Sequence, residues 1–191
     1  MIARLNLRRA VCTFGLDLPL AACLVALDVA ARLLPHAPNF TPLAASALFA
    51  GVVVRSRLLA LAVPVAAMLF SDLLIGAYDW RVMGVVYAAL TLPGLLGILA
   101  RRRRSVTVIA PIMLSASAIF FVTTNFAVWA FSGIYADDLA GLAHCYVAAL
   151  PFFQNTLAGD AVWTAVLFGG WYLVRAPWWH TKASPAAAVV T

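Results

Sequence analysis

Acidic residues and lysine are scarce in this sequence of 191 residues. It contains no glutamate, and its one lysine is Lys182. Charged residues make up 10% of the chain, whereas they make up about 25% of a typical soluble domain. Hydrophobic residues make up 65% of the chain, against about 45–50% in such a domain. This composition excludes an ordinary soluble enzyme and a disordered tail. The net charge of +6 comes from short basic clusters between long apolar runs. That pattern is typical of a polytopic membrane protein, and we expect no nucleic-acid partner.

Motifs of known chemistry are also missing. The three cysteines, Cys12, Cys23 and Cys145, have no CxxC spacing, which argues against a disulfide framework or a structural zinc site. No G-x-x-x-x-G-K-[ST] phosphate loop, G-x-S-x-G nucleophile turn or H-E-x-x-H pair occurs. We therefore expect neither an enzyme nor a resident metal or cofactor, although Cys145 beside His144 would suit a soft metal or a metal-containing ligand.

Long apolar runs predict a bundle of six transmembrane helices, because one span needs about 20 residues. The predicted helices cover residues 14–34, 42–54, 58–77, 82–100, 106–131 and 146–174. The second is short, since about 13 residues span only about 20 Å; it would tilt, start earlier or be shielded by its neighbours. Residues 1–177 would form one all-α domain and residues 178–191 a flexible cytoplasmic tail. The first run resembles a signal peptide, but it is long enough to span the bilayer if it is kept.

The basic residues predict the orientation of this bundle, because cytoplasmic loops are rich in lysine and arginine. With six spans, 11 of the 13 basic residues lie on one side, and only Arg32 and Arg81 lie on the other. Both termini would then be cytoplasmic, and the protein would lie in the inner membrane of a bacterium. The run Arg101–Arg104 is interpreted as a topology anchor, with lipid or nucleic-acid binding as the alternative.

Polar side chains within the helices cluster toward the outer side. At about 1.5 Å per residue, Asp28, Asp72, Asn125 and Asp160 reach similar heights in the outer third of the membrane. A carboxylate facing lipid would cost at least a few kcal/mol, so these groups should face inward. The sequence predicts a polar cup open to the outside. The alternative is a hydrogen-bond network that holds the helices together.

Candidate substrate-binding residues follow from this cup and from the aromatic residues near it. They are Asn39, Asp72, Tyr78, Asn125, Trp129, Tyr146, Phe153, Asn155 and Asp160. The apolar walls would come from Trp80, Trp129, Tyr135, Tyr146, Phe152 and Phe153, which could equally be aromatic belt residues at the membrane interface. Residues 38–40 and 144–146 would form lids over the cup. Asp17 and Asp28 could instead only cap or pair near helix 1.

Helix 1 carries a stripe of small residues. Ala22, Ala26 and Ala30 are spaced four apart, which places them on one face where another helix can approach closely. The stripe favours either packing within the bundle or the interface with a partner subunit.

Several short motifs carry a resemblance over residues 35–170. They are Pro38-Asn39-Phe40-Thr41-Pro42, Ser71-Asp72 with Gly76, Thr124-Asn125-Phe126 with Trp129, Gly141-Leu142 with Cys145-Tyr146, Pro151-Phe152-Phe153, Asn155-Thr156, Gly159-Asp160 and Leu167-Phe168-Gly169. In these motifs the chain resembles an uncharacterised family of bacterial membrane transport proteins. That family is similar to the substrate-binding S components of energy-coupling-factor transporters.

The resemblance implies a six-helix protein that captures a vitamin, a cofactor precursor or a metal ion outside the cell. It also implies that Ala22, Ala26 and Ala30 contact the transmembrane subunit of an energy-coupling module with ATPases. Cobalamin-binding relatives of the S components use a cysteine after helix 3 as a cobalt ligand. This sequence has Tyr78-Asp79-Trp80 there, so that chemistry is not carried over. Fold-level resemblance does not fix function.

Three functions are therefore open. The first is a membrane-embedded, S-component-like subunit that binds a small water-soluble substrate. The second is a stand-alone proton- or ion-coupled transporter, in which Asp72 and Asp160 titrate; no internal repeat of the kind common in such transporters is visible. The third is a membrane scaffold protein in which the polar layer is only structural.

Overall fold

The structure, a computed structural model, describes residues 2–175, with side chains from residue 15 onward. Six α-helices and no strand occur within that range. The helices are α1 (Ile2–Leu33), α2 (Leu43–Val53), α3 (Arg57–Ile75), α4 (Trp80–Ala100), α5 (Val106–Phe131) and α6 (Leu139–Arg175). The predicted all-α class is confirmed. The predicted tail at 178–191 lies outside the described residues, as do the side chains of Arg4, Arg8, Arg9 and Cys12.

Four of these helices, α3 to α6, are long and apolar enough to cross a membrane. Most of their residues are not buried inside the bundle, and large apolar side chains such as Leu73, Leu99 and Val106 are each 80% exposed on its surface. In water such a surface would be unfavourable, whereas in a bilayer it faces lipid tails. The fold is therefore that of a helical membrane protein.

Two helices begin much earlier than the sequence pattern predicts. Helix α1 starts at Ile2 and not at residue 14, because its basic N-terminal segment is helical as well. Helix α6 starts at Leu139 and not at Tyr146. There, Asp138 Oδ1 accepts a hydrogen bond of 2.6 Å from the Gly141 backbone N–H, which caps the first turn. The expectation that residues 144–146 form a loop was wrong, because they lie in the second turn of α6.

Helix α2 occupies the centre of the bundle and packs against each of the other five helices. Its 11 residues are almost all buried, and they include Leu43, Leu48 and Phe49. The Phe49 ring lies edge-on against Phe168 at 5.1 Å and against Trp171 at 5.7 Å. Of the three possibilities for a short second helix, the structure shows shielding by neighbours. At about 1.5 Å per residue, α2 is about 16 Å long and reaches through half of a bilayer core.

Glycines allow α2 and α4 to cross at very short range. A Cβ atom added to Gly97 would lie 2.5 Å from the carbonyl oxygen of Leu48, and one added to Gly51 would overlap the backbone of Gly94. Small residues permit such backbone approach in membrane helices. The α2–α4 contact is therefore specified by three glycines: Gly51, Gly94 and Gly97.

The end of the bundle that carries Arg55, Arg57 and Arg101–Arg104 is called the basic end here. At this end, the Arg101 guanidinium donates hydrogen bonds to the carbonyls of Gly51 (2.7 Å), Val54 (2.6 Å) and Arg55 (3.0 Å). These carbonyls have no partners within α2, so Arg101 caps its C-terminus. One member of the arginine run is thus a structural residue, which the topology interpretation did not predict.

Asp17 has a matching role at the start of α3. Its Oδ2 accepts hydrogen bonds from the backbone N–H groups of Arg55 (3.0 Å) and Ser56 (3.4 Å). The Ser56 side chain in turn accepts from Leu59 N–H. Asp17 therefore caps a neighbouring helix, in agreement with the structural alternative.

Candidate functional site

A cavity of about 610 Å³ lies in the half of the bundle that α2 does not reach. Leu43 and Ala44, in the first turn of α2, contribute to its base. Exposed residues of the connecting loops, His36, Asn39 and Tyr78, contribute to its rim. The cavity is therefore at the end of the bundle opposite the basic end, which we call the open end. This is the end where the sequence predicts a cup.

Three helices line the cavity with one face each, at the i, i+3, i+4, i+7 spacing of a helical stripe. The lining residues are Val82, Val86, Ala89, Leu90 and Pro93 on α4; Ala116, Ser117, Phe120, Phe121, Thr124, Asn125 and Val128 on α5; and Ala149, Phe152, Phe153, Thr156 and Asp160 on α6. The walls thus combine aromatic rings with a few hydroxyl, amide and carboxylate groups. Mostly apolar walls with a few placed polar groups are typical of small-molecule sites.

Asp160 is the cavity's carboxylate. It is 4% exposed, and its Oδ2 accepts a hydrogen bond of 2.5 Å from the Ser117 hydroxyl on α5. No cationic side chain of the described residues forms an ion pair with it. Asp160 therefore presents an acceptor to the cavity with only a neutral partner.

Gly159, next to Asp160 on α6, allows the loop between α1 and α2 (residues 34–42) to pack closely against that helix. A Cβ atom added to Gly159 would lie 3.2 Å from the Phe40 Cα. Asn39 adopts a left-handed conformation with φ of 62°, which turns the chain back toward α2. The close approach at Gly159 holds Asn39 and Thr41 at the cavity wall.

Arg32 and Asp72 form a buried ion pair beside the cavity. Arg32 Nη2 lies 2.6 Å from Asp72 Oδ1, and the two side chains are 17% and 5% exposed. The Tyr87 hydroxyl donates to Asp72 Oδ2 at 2.9 Å, and Arg32 also contacts the Met68 sulfur. Arg32 lines the cavity, but Asp72 does not. Asp72 was predicted to contact substrate; in the structure its two oxygens join α3 to α1 and α4.

Asp28 makes a third contact between helices. It is completely buried; its Oδ2 accepts a hydrogen bond of 2.5 Å from the Ser46 hydroxyl on α2, and its Oδ1 has no partner. Asp28 does not line the cavity. The three carboxylates of the predicted polar layer thus take part in three separate contacts between helices, and of these carboxylates only Asp160 lines the cavity.

Of the nine predicted binding residues, five line the cavity and four do not. Those that line it are Asn39, Tyr78, Asn125, Phe153 and Asp160. Asn155 lies two residues from Phe153, which is about 200° around a helix, so it is on another face. Trp129 Nε1 donates to Ala136 O at 2.9 Å and holds the α5–α6 connection.

Tyr146 does not line the cavity but contacts Phe121, which does. Its hydroxyl donates to Val122 O at 2.7 Å, and its ring lies 5.6 Å from that of Phe121. Phe121 in turn lies 4.4 Å from Phe153, with the rings tilted by 30°. The two tyrosine contacts fix a cavity aromatic that sequence reasoning did not select.

The aromatic walls differ from those predicted. Phe152 and Phe153 are present as expected, and Phe120, Phe121 and Tyr78 are the other rings of the lining. Trp80 is 78% exposed at the start of α4, which fits the belt alternative. Helix rotation from Asn125 leads to two of the missed residues. A step back of four positions gives Phe121 and a second step of four gives Ser117, and both line the cavity.

The adjacent His144 and Cys145 point in different directions. The His144 ring lies against Tyr135 at 5.6 Å, whereas the buried Cys145 thiol donates to Asn125 O at 3.4 Å. Among the residues that the structure describes, no group of three or more histidine, cysteine or acidic side chains could hold a metal ion.

The α3–α4 loop (residues 76–79) lies at the rim. Burial, together with the nearby Asp72 charge, raises the pKa of the Tyr78 hydroxyl above its ordinary value, so it remains a hydrogen-bond donor at neutral pH. Hydrogen bonds from Arg81 lower the pKa of Asp79 to about 2. Arg81 also donates to Phe131 O at 3.2 Å, which ties this loop to the end of α5.

The alanine stripe of α1 faces away from the bundle. Ala22, Ala26 and Ala30 are exposed, whereas Ala21 and Leu24 are buried against the core. The stripe is therefore not used for packing within the described part of the chain.

Together these features define a helical membrane protein that α2 fills at its basic end and that has an aromatic-walled cavity at its open end. The chain belongs to a family of unknown function (DUF6580), whose profile matches residues 14–184. No curated protein and no solved structure matches the chain.

Proposed function

We propose that this protein is the substrate-binding subunit of an importer, similar to an S component, and that it captures a small water-soluble vitamin or cofactor precursor. The observation that carries this proposal is the cavity at the open end. Its volume of about 610 Å³ falls within the range of about 300–1,000 Å³ typical of small-molecule sites. Leu43 and Ala44 of α2 contribute to its base, which favours a binding site over a channel.

The chemistry of the walls supports a polar organic ligand. The rings of Phe120, Phe121 and Phe153 offer stacking surfaces, while Asn125 and Asp160 offer hydrogen bonds. The Asn125 amide already donates to Phe121 O at 2.7 Å, which leaves its carbonyl oxygen as an acceptor. Such a lining suits a flat molecule with polar edges.

The proposed orientation places the cavity on the outer side of a bacterial inner membrane. The arginines at the basic end would be cytoplasmic by the positive-inside rule, with six spans and both termini on that side. The open end would then face the outside, where a scarce nutrient is captured.

Energy would come from a separate transmembrane subunit with ATPases, bound to the exposed alanine face of α1. Small residues on a lipid-exposed face let a second helix approach closely. Ala26 lies at the centre of the stripe and is exposed. The control position is Ala118, an exposed alanine on α5.

Ligand binding is tested on the purified full chain by thermal shift with a panel of water-soluble vitamins and their precursors. We expect one compound to raise the melting temperature, and Ala89→Trp, which places an indole in the cavity, to abolish that shift. Ala118→Trp adds the same group on the outer surface and should leave the shift intact. A panel without any shift would contradict the proposal.

Coupling is tested in cells that depend on uptake of that compound. Ala26→Trp should abolish uptake while the purified protein still binds ligand, and Ala118→Trp should affect neither. Uptake in proteoliposomes driven by a pH gradient and lost in Asp72→Asn would instead favour the secondary transporter. The ion pair of Asp72 with Arg32 favours a structural role for that carboxylate.

A further inference from the structure

We infer that the cavity selects a flat ligand that carries a positive charge or an N–H donor group and seats that group on Asp160. This inference rests on the proposed function, because it names the chemical class of the substrate. It depends on how charges are distributed over the cavity wall.

Among the residues that the structure describes, the cavity wall has one arginine and one carboxylate, and only the arginine has an ionised partner. Arg32 is held by Asp72 at 2.6 Å, and the Tyr87 hydroxyl completes the shell of that carboxylate. Asp160 has only the Ser117 hydroxyl, at 2.5 Å. The charge available to a ligand is therefore negative, and it lies deep between α5 and α6.

Burial strengthens this preference. Asp160 is almost completely shielded from solvent, and charges interact more strongly in a site of low dielectric constant than in water. An anionic ligand beside Asp160 would be repelled and would lose its hydration. A cation or an N–H donor would supply the partner that the serine hydroxyl alone does not provide.

The aromatic rings favour the same class of ligand. Phe121 and Phe153 lie 4.4 Å apart, tilted by 30°, and both line the cavity with Phe120 and Phe152. Aromatic faces attract cations and stack on flat rings. The rings and the carboxylate thus act together on a flat, electron-poor nitrogen compound.

Three probes of one shape test the inference: naphthalene-2-carboxamidine, naphthalene-2-carboxamide and naphthalene-2-carboxylate. They share a ring system and differ in carrying a positive charge, no charge or a negative charge. With the purified full chain, we expect the amidinium to bind at least tenfold more tightly than the amide, and the amide more tightly than the carboxylate. Isothermal calorimetry measures the three affinities.

Asp160→Asn and Asp28→Asn form a matched pair of variants. Both remove a buried carboxylate that accepts from a serine hydroxyl at 2.5 Å, but only Asp160 lines the cavity. Asp160→Asn should weaken amidinium binding at least tenfold and leave carboxylate binding no weaker. Asp28→Asn should leave both affinities within twofold of the wild type.

The outcomes separate the two proposals. If the carboxylate binds most tightly, or if Asp160→Asn leaves the ranking unchanged, the inference is overturned while the binding function stands. The inference also fails if a vitamin binds but none of the three probes does. If neither the vitamins nor the probes bind, both proposals fail. Should Asp160→Asn not fold, the wild-type ranking alone decides.

Discussion

The backbone of Gly97 on α4 lies against the carbonyl oxygen of Leu48 on α2, so that a Cβ atom at Gly97 would lie 2.5 Å from that oxygen. No ordinary side chain fits at that distance. The contact is between backbones, which cannot move aside as a flexible side chain would. The position of α2 within the bundle therefore depends on the absence of a side chain at Gly97.

Gly97→Ala should destabilise the protein, because the added methyl group forces α2 and α4 apart. Overpacking of this kind typically costs about 1–3 kcal/mol. Gly84 on the same helix has open space around its Cβ position, so Gly84→Ala should be neutral or slightly stabilising through helix propensity. Thermal denaturation in detergent compares the two. Equal melting temperatures would show that the glycine contact is not needed.

Arg32→Met should destabilise the bundle strongly, because it leaves the Asp72 carboxylate buried without its cation. Breaking a buried pair typically costs about 3–5 kcal/mol. Adding Asp72→Leu should recover much of that loss, since the pair is then removed as a whole. The control is Arg81→Met, which breaks an exposed pair with Asp79 and should change stability little. Additive effects of Arg32→Met and Asp72→Leu would contradict the coupling.

Arg101→Lys should lower the melting temperature although the charge is kept. A lysine ammonium is a point charge and does not reproduce the planar fork that contacts Gly51, Val54 and Arg55. Arg102→Lys, next in the run, should have no such effect, because topology depends only on charge. The prediction fails if the two variants have the same melting temperature.

Acid should release the α3–α4 loop only at very low pH. The pKa of Asp79 is lowered from 3.8 to about 2, mainly by the Arg81 side chain. A lowered folded-state pKa means that the stabilising contribution is fully present above about pH 4 and is lost as the pH falls through about 2. In Arg81→Gln, the Asp79 titration followed by carboxyl-carbon NMR should move up toward 3.8. Arg102→Gln, at the basic end, should leave it in place.

Helix number and the all-α class followed from apolar runs, because a span of apolar residues has few other stable structures in a bilayer. Helix ends followed less well. Tyr146 was predicted to begin the last helix, and His144 and Cys145 were assigned to the loop before it. The capping contact of Asp138 with Gly141 sets the true start, and such a contact depends on local geometry that hydropathy does not describe.

Candidate residues were predicted best where helix height alone was sufficient. Asn125 and Asp160 line the cavity, because polar groups at that depth face inward. Asn155 was selected because it is polar, but its neighbour Thr156 is the residue on the helix face that lines the cavity. Asp72 has the right height, but Arg32 comes from a distant part of the chain and takes it as a partner. Pairings of that kind cannot be derived from height and rotation.

Helix α2 blocks the basic half of the bundle. The helix fills the axis of the basic half with buried residues such as Leu48 and Val52, and its glycine contacts with α4 leave no room for an intervening molecule. Under the proposed function, a captured ligand would therefore have no straight path through the bundle. Release at the basic end would then require α2 and α4 to separate, or the protein to turn within the membrane.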